Sequence, residues 1–73
     1  MKLGDFIKKK RLDLSMSQMD FGDFVGVSFV TVNSIENKHS CGLKTLRLLS
    51  EALNEPVQKL REMMVDNNET DEQ

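Results

Sequence analysis

An all-α domain of five short helices is the fold class this sequence predicts, on three observations. Apolar residues recur at helical spacing along most of the chain. Ser17, Gly26, Ser28, Asn54 and Pro56 stand where helices start and stop. Strand signals are poor, because the one β-branched and aromatic run, residues 25–32, is broken by Gly26 and Ser28 and does not alternate cleanly.

Leu3, Phe6 and Ile7 place a first helix over residues 2–13, with Lys8, Lys9, Lys10 and Arg11 spread over several of its faces and their stems lying along apolar neighbours. Ser17 is a good N-cap for a second helix, and Asp20 suits the positive end of its dipole. Gly26 supplies the positive φ that ends this helix, and Ser28 caps a third running to Asn37. After a polar stretch, residues 37–42, a fourth helix presents Leu43, Leu46, Leu49, Ala52 and Leu53 on one face and stops at Asn54. Pro56 suits the first turn of a fifth helix, whose apolar face is Val57, Leu60, Met63 and Met64.

Seventy-three residues allow one domain, read as residues 1–65, followed by an acidic tail, 66–73, too polar to repay its ordering entropy. With one cysteine and one histidine, no internal disulfide or metal site is expected, and His39 and Cys41 read as loop residues. The lone cysteine, the lack of a signal-like apolar run at the start and the lack of a membrane-length segment point to a cytoplasmic protein. No nucleophile has a plausible base, so neither catalysis nor a cofactor is expected.

The net charge of −2 conceals an asymmetry. Residues 1–47 hold eight basic against five acidic side chains, a net of +3, and the remainder carries −5. A mildly basic body is compatible with DNA, at modest affinity that falls quickly with salt.

Residues 17–36 resemble the helix-turn-helix of Cro/CI-type, Xre-like regulators. The resemblance rests on Ser17-Gln18, apolar Phe21, small Gly22, Val25, Gly26-Val27-Ser28 in the turn, then Thr31, Val32, Ile35 and Glu36, and the five-helix plan extends it over residues 3–60. It implies a lambda-repressor-like domain in which helices two and three form the motif. A small side chain at Gly22 lets the two helices approach, while Phe21, Val25, Val27, Val32 and Ile35 hold them to the body.

The resemblance also implies a function. A dimer would insert the third helix into the major groove of operator DNA, at half-sites about one DNA turn apart. Ser28, Phe29, Val30, Asn33 and Ser34 match base-facing positions, with Asn33 able to pair with adenine and Phe29 and Val30 able to meet thymine methyl groups. Gln18 would brace the Asn33 contact and meet a phosphate, and Ser17, Asn37, Lys38 and Lys44 match backbone contacts. Arg11 and Glu36 match a structural salt bridge. No Arg, Lys or Gln stands on the base-facing positions of the third helix, and the family's glycine and proline in the following loop are replaced by Lys38 and Cys41.

Other readings of the same residues remain open. Phe29 and Val30 suit internal packing or a protein-facing patch as well as base contact. Met63 and Met64 suit core or dimer contacts. The alternative function is therefore a protein-interaction module of the same fold, docking on a full-length repressor or acting as an antitoxin-like partner.

Overall fold

The computed structural model describes residues 1–65, so the tail read as disordered lies outside the described residues. Five helices follow in order: α1 (Leu3–Asp13), α2 (Gln18–Val25), α3 (Phe29–Lys38), α4 (Leu43–Leu53) and α5 (Val57–Glu62), with no strand among the described residues. The third packs on both α1 and α2, whereas α4 packs on α2 and α5.

One core joins all five. Leu3 and Ile7, Phe21 and Val25, Val32 and Ile35, Leu46 and Leu49, and Leu60 are buried together, and among the described residues no polar or charged one is buried with them. Phe6, Val27, Ala52, Leu53, Val57, Met63 and Met64 pack against this cluster from its margin. Leu43 does not. Expected on the apolar face of α4, it is 52 % exposed, because the first residue of that helix lies beyond the reach of the core.

Helix ends follow local chemistry where a capping residue exists. Asn54 takes the left-handed conformation that stops α4, with φ 55°. Pro56, expected in the first turn of α5, is instead its N-cap at φ −61° and ψ 139°, and Met63 and Met64 follow that helix. The shift is one residue, and a proline without N–H is tolerated in either place.

No cap is present at the start of α1. Lys2 makes no side-chain capping bond there, and the free N–H groups of the first turn find partners across the fold instead. Leu3 N–H donates to the Met63 carbonyl at 2.8 Å, and Gly4 N–H donates to His39 Nδ1 at 3.1 Å. His39, expected as an ordinary loop residue, is the left-handed C-cap of α3 at φ 62°. Its carbonyl accepts from Val65 N–H at 2.8 Å, so one residue ties the start of α1, the end of α3 and the segment after α5.

Gly4 is required by this latch. A methyl group there would stand 2.5 Å from both His39 Nδ1 and the Ile35 carbonyl oxygen and 2.7 Å from the Glu36 carbonyl oxygen. Gly42, the uncapped start of α4, has open space around it at an ordinary φ of −74°. Gly4→Ala is therefore expected to cost about 1–3 kcal/mol through forced backbone separation, and Gly42→Ser to gain about 0.5 kcal/mol by adding a cap. Urea melts followed by circular dichroism check both.

A second tie joins α1 to α5. Glu55 accepts from Lys59 Nζ at 2.9 Å and faces Lys10 Nζ at 3.7 Å, and both ammonium groups lie 5.4 Å from the centre of the Phe6 ring. The bond from Lys59, then the charges of Lys59 and Lys10, holds the Glu55 carboxyl below its ordinary range against the opposing effect of desolvation. A carboxyl whose folded pKa is depressed stabilises the fold above its unfolded pKa, and loses that contribution as pH falls through the folded value. The stability difference between wild type and Glu55→Gln is thus expected to be largest near neutral pH and to vanish in acid, as read from melts across a pH series.

Candidate nucleic-acid interface

The helix-turn-helix geometry follows from two serines and a glycine. Ser17 Oγ accepts from Asp20 N–H at 3.0 Å while Asp20 Oδ2 accepts from Ser17 N–H at 3.4 Å, which closes a reciprocal capping box at the start of α2. Gly26 then ends α2 at φ 103°, a conformation that costs a side-chain-bearing residue but not glycine. Ser28 caps α3 by accepting from Thr31 N–H at 3.2 Å.

The approach of the two helices is close. A methyl group on Gly22 would stand 2.6 Å from the Val27 carbonyl oxygen, so only glycine lets the turn fold back onto α2. Phe21 and Val25 from one helix and Val32 and Ile35 from the other are sealed beneath this contact. Burying those positions turns the opposite edge of α3 outward.

That outer edge carries the expected residues. Phe29 is 47 % and Val30 61 % exposed, Ser28, Asn33, Asn37 and Lys38 are exposed, and Ser34 is half-buried. Ser17 and Lys44 are exposed as well, while Gln18 is half-buried beside Asn33.

A hydrogen-bonded chain runs from α1 to this edge. Arg11 Nε donates to Glu36 Oε2 at 2.8 Å and Nη2 to Oε1 at 3.1 Å, and Nη1 donates to the Met16 carbonyl at 3.1 Å. Gln18 Nε2 donates both to Glu36 Oε1 at 3.2 Å and to Asn33 Oδ1 at 3.3 Å. The bidentate bond to Glu36 raises the Arg11 pKa further, outweighing desolvation. The pair is largely shielded, with side-chain exposures of 11 % and 7 %.

Sequence reading paired Arg11 with Glu36 and Gln18 with Asn33, and these four meet in one network. It missed the bond between Gln18 and Glu36 that joins the two pairs, and the Met16 carbonyl, since a backbone oxygen leaves no sequence signal. Among the described residues no hydrogen bond links Asn37, Lys38 or Lys44 to the network. Those three share only exposure.

A family model described as helix-turn-helix matches residues 7–60, most of the chain. This chain belongs to the helix-turn-helix family. Comparison with curated proteins and with solved structures gave no match. Membership supports the resemblance to Cro/CI-type, Xre-like regulators and the coarse assignment of a DNA-binding regulator. No helix among the described residues is long and apolar enough to cross a membrane, nor does any group of three or more metal-ligating side chains converge.

The shielded ion pair of this helix-turn-helix domain gives a stability prediction. Removing one partner strands a partly shielded charge, so Glu36→Leu is expected to cost about 1.5–3 kcal/mol. Replacing both, as in Arg11→Met with Glu36→Leu, is expected to recover most of that loss. Thermal melts of Arg11→Met, Glu36→Leu and the double variant complete the cycle.

Proposed function

We propose that residues 1–65 form the sequence-specific DNA-binding domain of a cytoplasmic transcriptional repressor that acts as a homodimer and lays α3 in the major groove. Half-sites about one DNA turn apart suit two such helices related by a two-fold axis. The observation that carries this reading is the division of α3. Val32 and Ile35 are sealed in the core while Phe29, Val30 and Asn33 stand exposed on a helix braced to both α1 and α2.

On this reading Asn33 reads a base edge, Phe29 and Val30 meet thymine methyl groups, and Ser28 and Ser34 approach neighbouring bases. The N-termini of α2 and α3 favour phosphate oxygens, with Ser17 and Gln18 at the first of them, and Asn37, Lys38 and Lys44 complete the backbone contacts. The low net charge keeps the number of phosphate contacts small and the affinity modest.

The same exposure supports a second reading. Phe29 and Val30 on α3 and Phe24 at 44 % exposure on α2 offer apolar area to a second regulator protein, so the domain would modulate a partner instead of reading DNA.

A mobility-shift titration with duplexes selected from a random pool separates the two. DNA binding should weaken as salt rises, Asn33→Ala should lower affinity for the selected site about tenfold, and Lys38→Gln should reduce the salt slope by about one. Absence of any shift at low salt, together with a stable partner complex that Phe29→Ala abolishes, selects the second reading.

A further inference from the structure

Resting on the DNA-binding reading above, we infer that Glu36 and Gln18 are positioning residues that fix which end of the Asn33 amide faces the DNA. The domain thereby presents a hydrogen-bond donor, Asn33 Nδ2, to the N7 acceptor of a purine in the major groove.

The argument starts at Arg11. A guanidinium only donates, and it engages both oxygens of Glu36. A carboxylate paired in this way only accepts, so the part of the Gln18 amide placed against it is Nε2–H₂ and not the carbonyl oxygen. Gln18 Nε2 has two hydrogens. One goes to Glu36 Oε1 at 3.2 Å and the other toward Asn33 at 3.3 Å, where only an acceptor can receive it. Asn33 is thus held by its Oδ1, and its Nδ2–H₂ is the end left to face a partner from an exposed position.

Amide groups are nearly symmetric in shape, so packing alone hardly distinguishes their two ends. Here the polarity is inherited, step by step, from a guanidinium that cannot act as an acceptor. Oδ1 keeps a second lone pair, so the fixed amide can also accept from adenine N6 while Nδ2 donates to N7. A base that offers a donor opposite Nδ2 is rejected because two donors meet.

The test uses the full chain and a duplex selected from a random pool. The base pair read by Asn33 is the one whose preference Asn33→Ala abolishes, and its purine is then replaced by the 7-deaza analogue. Wild type is expected to lose about tenfold in affinity on that analogue and to discriminate about tenfold among the four pairs at that position. Gln18→Met frees Asn33 to turn either end outward. It is expected to flatten that one profile to about twofold while preferences elsewhere in the site persist, whereas a general structural defect would weaken all positions alike.

Glu36→Leu, if folded by circular dichroism, removes the acceptor that orients Gln18, so the Gln18 amide turns freely and the profile at the Asn33 pair flattens as it does in Gln18→Met. Should Glu36→Leu not fold, Gln18→Met decides by itself, since Gln18 lies outside the core. Full discrimination retained by Gln18→Met, or wild-type indifference to the 7-deaza base, overturns the relay alone. A wild-type chain that selects no sequence overturns the relay together with the DNA-binding reading.

Discussion

The bidentate contact between Arg11 and Glu36 is the interaction on which the rest of the architecture turns, because it joins α1 to the outer half of α3 across 25 residues of sequence. Shielding such a pair costs desolvation, and its attraction repays this only when the remaining donors and lone pairs are satisfied. Here every nitrogen of the guanidinium and both carboxylate oxygens have a partner: Arg11 gives a further N–H to the Met16 carbonyl, Glu36 receives Gln18, and among the described residues no buried side-chain nitrogen or oxygen lacks a partner. The contact thus contributes orientation more than net stability, and orientation is what a reading helix needs.

The same helix is pinned a second time at its end. His39 stops α3 and accepts from the first turn of α1, while its carbonyl holds the segment after α5. Two ties on α3, one through Glu36 and one through His39, restrict both its rotation and its tilt against α1. With the capping box and the Gly26 bend setting its start, the helix has little freedom left at either end.

A chain of this length buries few residues, so polar ties of this kind carry a large share of its specificity. Among the described residues nine apolar side chains form the core, and charged clusters sit at its margins: Arg11 with Glu36 beside the motif, Lys10 and Lys59 with Glu55 over Phe6. Cys41, half-buried at the edge of the core, has its thiol pushed up by desolvation and packs as a small apolar residue.

The helices, their boundaries to within a residue or two, and the buried faces of α2 and α3 were legible in the residues themselves. Capping serines, a turn glycine and apolar spacing act over a few positions, and local sterics dictate their outcome. The outward placement of Phe29, Val30 and Asn33 came from the resemblance alone, because the residues by themselves left Phe29 and Val30 open to internal packing, and the fold exposes all three. What only the tertiary structure decided are the contacts between distant elements: the latch of Gly4 on His39, the Met63 carbonyl that caps α1, the exposure of Leu43, and the bond from Gln18 to Glu36. Each depends on where one helix end lies relative to another, a distance set by the packing of the whole core and carried by no short stretch of sequence.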